Sequence, residues 1–115
     1  MKKIILILLL AIPLISLSQT LKIGSELTVV HFNAGWNSSN DVEWVGELSD
    51  CKFKRCDIAT DTEAQNEFEI VVVPTIIVFS DGEEVERYQA DISFTIKATK
   101  KEVQEAIDEI LMDSF

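Results

Sequence analysis

Two thiols, one imidazole and a pair of adjacent serines are the side chains here whose chemistry could make or break a covalent bond. Cys51 and Cys56 are separated by four residues. If 52–56 is extended, their Cα atoms stand about 16 Å apart and their side chains point to opposite faces, beyond disulfide reach. Phe53-Lys54-Arg55 carries no turn signal that would fold them together. Cys56 then reads as a core residue and Cys51 as a loop thiol. Ser38 and Ser39 are the hydroxyl candidates for a nucleophile, with His31 as the base. Nothing in the sequence orients that base, and its place in a strand implies burial. His31 is more simply a core histidine, hydrogen-bonded to Asn40 or to a backbone carbonyl, than a pH switch. One histidine and two separated cysteines do not make a metal site. No cofactor is expected.

The elements that position these residues belong to one small domain. The chain has 115 residues, with 20 acids against 10 Lys and Arg, a net charge of −10. That balance argues against nucleic acid, whose phosphates need clustered cations, and against anionic lipid. Met1-Lys2-Lys3, the apolar run Ile4–Ile12 and the small residues Ser16 and Ser18 read as a secretory leader cut after Ser18. The expected organisation is a signal peptide over 1–18 and one domain over 19–115. Removal takes two lysines and no acid, so −10 becomes −12. The product is an exported, acidic protein, periplasmic or secreted, with no membrane insertion after cleavage. Its compartment is oxidising, which makes the state of the two cysteines matter.

Leu27 to Asn33 is rich in β-branched and aromatic residues and reads as a buried strand. Asn37-Ser38-Ser39-Asn40-Asp41 is a cluster of helix N-cap residues, with Asp41 and Glu43 in the first turn. Val42, Trp44, Val45 and Leu48 supply an apolar stripe, so the spacing predicts a helix over 39–48. Phe53 to Ala59 reads as a second strand. Thr60-Asp61-Thr62-Glu63 matches a capping box for a helix carrying Ala64 and Phe68 inward. Ile70 to Phe79 is nearly all apolar, as a strand covered on both faces must be, and Pro74 must lie before its paired stretch or at a bend. Asp81-Gly82 marks a tight hairpin into a strand over 84–89. Thr99-Lys100-Lys101-Glu102 opens a last helix with Val103, Ala106, Ile107 and Ile110 on one face. The alternation of Ile92, Phe94 and Ile96 with Ser93 and Thr95 allows an extended segment over 91–98. The order is β-α-β-α-β-β-α, an α/β fold with a mixed sheet, a parallel first pair and an antiparallel hairpin at the end.

That order, with Trp36 ahead of a helix start and Val73-Pro74-Thr75 entering the third strand, resembles the thioredoxin superfamily over about 27–111. His31-Phe32-Asn33-Ala34-Gly35-Trp36 looks like the strand leading to the family's active site. Val72-Val73-Pro74-Thr75-Ile76 looks like its cis-proline loop, and Phe79-Ser80-Asp81-Gly82-Glu83 like its hairpin. The resemblance implies a minimal thioredoxin-like fold with a cis bond before Pro74, lacking the family's first strand and helix. The family motif Trp-Cys-x-x-Cys is replaced by Trp36-Asn37-Ser38-Ser39-Asn40. Asn37 has no nucleophilic atom and Asn40 cannot resolve a mixed disulfide, so exchange by the family mechanism is closed at this site. The family's usual buried acid is here His31, and a glycine common near the end of its last strand is about Ala90.

What the resemblance implies is a redox-inert, non-catalytic module that holds a protein or peptide, favourably a basic one, against Trp36, Asn37, Ser38, Ser39, Asn40, Val73, Pro74 and Thr75. Asn37 to Asn40 serve equally as a plain helix cap on this reading. An oxidoreductase using Cys51 and Cys56 in place of the missing pair, and a scaffold or dimerisation module, are the alternatives.

Overall fold

In a computed structural model, the described residues are 21–114. The leader expected over 1–18 lies outside them. Four strands form one sheet: β1 (Thr28–Asn33), β2 (Lys52–Asp57), β3 (Thr75–Ser80) and β4 (Glu83–Gln89). Their order is β2-β1-β3-β4, with β1 parallel to β2 and antiparallel to β3, and β3 antiparallel to β4. The mixed α/β sheet expected from the sequence is the one observed.

Alternation along the two central strands builds a core on each face. Val30, Phe32, Ile77 and Phe79 point to one side, where Ala64 of helix α1 (Thr62–Glu67), Ile70 and Val73 cover them. Phe68 stands between Phe32 and Phe79, with ring centroids 5.7 and 5.4 Å away. Val29, Ile76 and Val78 point to the other side, under Val103 and Ile107 of helix α2 (Lys100–Asp113). Every residue of β1 is buried, which is why the run reads as apolar on both faces. The hairpin from β3 to β4 turns through Asp81 and Gly82 at φ 55 and 81, the left-handed pair such a tight turn requires.

Local signals hold at the helix starts, with adjustments. Thr99 and Glu102 exchange both bonds of a capping box at α2. At α1 the cap is Asp61 rather than Thr60: its carboxylate accepts from the Ala64 N–H, and its second oxygen from the Leu21 N–H. Pro74 lies one residue ahead of β3, outside the ladder its missing N–H could not serve, and the Val73–Pro74 bond is cis.

Three expectations fail. The strand read over 70–79 begins only at Thr75, and Val71 ahead of it is 77 % exposed. No α-helix spans 39–48; two 3-10 segments, Gly35–Asn40 and Glu43–Glu47, replace it. The segment 91–98 is not a simple extended run: it opens with a turn in which the Asp91 carboxylate accepts from the N–H and hydroxyl of Ser93, and the Asp91 N–H donates to the Thr95 carbonyl at 3.1 Å. Alternation gave no hint of this, because the ordering bonds come from one aspartate rather than from a neighbouring strand.

Thr99→Ala removes the acceptor for the Glu102 N–H and is expected to cost about 1 kcal/mol. A urea denaturation midpoint unchanged by the substitution would contradict this account of the helix start.

Candidate functional site

The site is assembled where β1 runs out of ladder. Phe32 pairs with Thr75, the last pair of the β1–β3 register, which sets Asn33 beside Pro74. On the other flank of Pro74, its carbonyl accepts from the Ala90 N–H at 3.1 Å, and the 91–95 turn follows at once. Topology therefore brings 34–37, Pro74 and 91–95 to one end of the sheet.

Side chains of β1 explain why the following residues are not an α-helix. Asn33 Nδ2 donates to the Asn37 carbonyl at 3.0 Å and to Asp41 Oδ1 at 2.6 Å. The Val42 N–H donates to His31 Nε2 at 3.0 Å. A helix would have used that carbonyl for the Asp41 N–H and that N–H for the Ser38 carbonyl. With both groups engaged by β1, the Asp41 N–H closes a tighter turn onto Ser38 instead. The cap-forming reading of Asn37–Asn40 fails with the helix: Ala34 and Val42 hold the N-cap positions, with no side-chain cap bond.

Asn37 is buried, its Nδ2 donating to Asn33 Oδ1 at 3.0 Å. Its Oδ1 accepts from Asn40 Nδ2 at 2.8 Å, so the two asparagines of the Trp36–Asn40 segment are joined side chain to side chain. Ser38 and Ser39 are exposed. Neither is hydrogen-bonded to His31 among the described residues, and His31 Nε2 is occupied by Val42, so the serine–histidine pairing does not form. Of the expected His31 partners, Asn40 bonds to Asn37 instead; the ring accepts from Val42 and keeps a bond to its own backbone. Burial first, and then the Arg55 guanidinium, push the His31 imidazolium down to a pKa of about 4 against the pull of Asp41.

Trp36 is 69 % exposed, while Val73, Pro74 and Thr75 are buried. The loop thus forms a floor, correcting the expectation that it would share the rim. The rim comes from residues the sequence did not single out. The Phe94 ring meets Trp36 edge-on at 5.8 Å, itself 42 % exposed, and Ile92 in the same turn is 99 % exposed. Phe94 sits at φ 63, an unusual backbone state for an aromatic residue, with its N–H donating to the Asp91 carbonyl. The only sequence signal for this rim was Asp91-Ile92-Ser93, a turn-forming acid and serine around an apolar residue.

Cys51 and Cys56 are both free and belong to the cores on opposite faces of the sheet. Burial, then Asp61 and Asp57, raise the Cys56 thiol to a pKa of about 11, and its Sγ lies 3.9 Å from Asp61 Oδ2. Burial and then Asp50 raise that of Cys51. Among the described residues, no cluster of three or more His, Cys, Asp or Glu could hold a metal, and no helix is long and apolar enough to cross a membrane.

The His31 shift has a consequence for stability. The folded pKa of about 4 lies below the ordinary 6.5, so the unfolded chain binds the extra proton first. The contribution is complete above pH 6.5 and is lost as pH falls toward 4, reaching roughly 3 kcal/mol. His31→Gln, which keeps an acceptor for Val42, should flatten that part of the pH–stability curve. Urea titrations of both proteins between pH 7.5 and 4 that run parallel would refute the assignment.

No protein-family model matches the chain, and no curated protein matches it. Solved structures do. Thioredoxin from Fasciola hepatica is 27 % identical, with a TM-score of 0.53 over 75 % of this chain and 82 % of that one. The reduced thioredoxin pre-protein of Schistosoma mansoni is 26 % identical, with a TM-score of 0.58 over 74 % and 79 %. A mutant thioredoxin from Halobacterium salinarum is 20 % identical, with a TM-score of 0.58 over 75 % and 74 %. Sheet order, the proline ahead of β3 and these likenesses agree: the chain has a thioredoxin-like fold.

Proposed function

We propose that this is an exported, redox-inert thioredoxin-fold protein that holds an extended stretch of a basic polypeptide at the end of the sheet that carries Trp36, Ile92 and Phe94. The observation that carries this reading is the exposed edge-on pair of Trp36 and Phe94, with Ile92 exposed in the same turn as Phe94, beside a segment with no thiol. A large exposed apolar side chain costs solubility, and grouping three at one end of a small domain is the signature of a docking surface. The backbone supports the same place. Continuing the β1–β3 ladder would pair Ala34 with Val73, yet neither the N–H nor the C=O of Val73 has a partner among the described residues. Those are the groups through which an added strand would bind. Twice as many acids as bases favours a cationic partner and makes binding weaken with salt.

Redox inertness rests on chemistry at both candidate sites. At Asn37 and Asn40 an amide–amide hydrogen bond occupies the place a cysteine pair would take. At Cys51 and Cys56 both thiols are shifted away from the thiolate, and the sheet lies between them. The oxidoreductase alternative has no geometric support from this pair.

Reduced, carbamidomethylated lysozyme, an unfolded basic chain, should bind and change the tryptophan fluorescence, with affinity falling as salt rises. Unfolded α-lactalbumin, an acidic chain treated in the same way, should bind much less. Trp36→Ala should lose about tenfold or more in affinity for the lysozyme chain; undiminished binding by that variant would remove the face from consideration. Cys51→Ser with Cys56→Ser should bind as the parent does.

Because the side chains of Asn37 and Asn40 already touch, the double substitution Asn37→Cys and Asn40→Cys is expected to close a bridge. Intact mass would then rise by about two daltons on reduction. A pair that stays reduced under mild oxidant would mean that these positions are not juxtaposed.

A further inference from the structure

The turn that carries Phe94 is pinned at both ends and unsupported between them. Upstream, Ala90 is buried and its N–H donates to the Pro74 carbonyl at 3.1 Å. Downstream, Ile96 and Ala98 pack against the core under α2. Between these points Ile92, Ser93, Phe94 and Thr95 are exposed, and none of the four belongs to either core. Among the described residues, every hydrogen bond that joins 92–95 to the rest of the chain goes to Asp91. Its C=O accepts from the Phe94 N–H at 3.0 Å, and its N–H donates to the Thr95 carbonyl at 3.1 Å. Its carboxylate Oδ1 accepts from the Ser93 N–H at 2.9 Å, from the Ser93 hydroxyl and, more loosely, from the Thr95 hydroxyl at 3.4 Å. Oδ2 faces Lys97 Nζ at 3.8 Å, a pair too exposed to contribute much. The Ser93 bonds also hold the Asp91 carboxyl below its ordinary range, so at neutral pH it is a charged acceptor.

Phe94 depends on that hold. At φ 63 its backbone is in the left-handed region, which costs an aromatic residue free energy, and relaxation to a negative φ would carry the ring off Trp36. The carboxylate fixes Ser93, the residue immediately before it, and so opposes that relaxation. We propose that Asp91 is the positioning residue of the polypeptide-holding face: its carboxylate keeps Phe94 against Trp36 before any partner arrives, so that a partner does not have to order the turn. Asp91 acts through Phe94 and needs no contact of its own with the partner. Its effect on affinity rests on that face being the binding surface; its effect on the ring contact does not. Two substitutions separate geometry from charge. Asp91→Asn keeps an acceptor at Oδ1 and loses the charge, whereas Asp91→Glu keeps the charge and sets the acceptor one methylene too far away.

The probe is the reduced, carbamidomethylated lysozyme chain, titrated at pH 7 and constant ionic strength. Asp91→Asn should bind within about twofold of the parent, and Asp91→Glu and Asp91→Ala about fivefold more weakly. In the free protein, the NOE between the Trp36 indole and the Phe94 ring should be present in the parent and in Asp91→Asn, and lost in the other two. Urea midpoints should stay near the parent's in all three, because no core residue is touched; Asp91→Glu decides the matter if Asp91→Ala does not fold. A parent that ignores the lysozyme chain would remove the binding face, and the NOE series would still decide whether Asp91 positions Phe94. Equal loss of affinity in Asp91→Asn and Asp91→Ala would make Asp91 a charge contact with the basic chain. A Trp36–Phe94 NOE that survives both Asp91→Ala and Asp91→Glu would show the carboxylate to be dispensable. Either result overturns the assignment.

Discussion

Burial of two polar side chains on β1 is the constraint around which this end of the sheet is organised. His31 and Asn33 lie on β1, every residue of which is buried, and each must find hydrogen-bond partners away from water. They find them in the backbone that follows. His31 takes the Val42 N–H, and Asn33 takes the Asn37 carbonyl and the Asp41 carboxylate. The two backbone groups are ones an α-helix would have used for itself, so the chain leaves β1 as two 3-10 segments rather than one amphipathic helix. The joined asparagines follow from that diversion.

The two faces of the sheet divide the remaining chemistry. One core gathers Phe32, Phe68 and Phe79 with Cys56; the other gathers the apolar stripe of α2 with Cys51. Two thiols five positions apart along one extended stretch cannot meet across a sheet, and apolar surroundings keep both protonated. At Asn37 and Asn40 this chain presents two amides bonded to each other. What is left at that end is shape and apolar surface, a Trp36–Phe94 edge-on pair held by a turn that Asp91 organises.

Much of this was legible from residue types and spacing because it depends on local rules. Strand runs, the Asp81-Gly82 turn and the Thr99–Glu102 capping box are decided within a few residues, and the turn and the box sit at their expected places. The opposite orientation of Cys51 and Cys56 follows from the period of two along a strand. The predicted helix over 39–48 failed for the converse reason. Its apolar stripe and cap residues were real local signals, but the competitors for its hydrogen bonds were His31 and Asn33, whose reach across space no periodicity encodes.

Sequence alone determined the order of elements, the acidic balance and the absence of a Cys-x-x-Cys pair, since these are properties of the chain as written. Tertiary structure decided which side chains share the end of the sheet. It set Phe94 against Trp36 although more than 50 positions separate them, and it buried Val73, Pro74 and Thr75. Strand pairing fixes such neighbours through hydrogen bonds between distant segments, and no arrangement of residue types within any one segment carries that information.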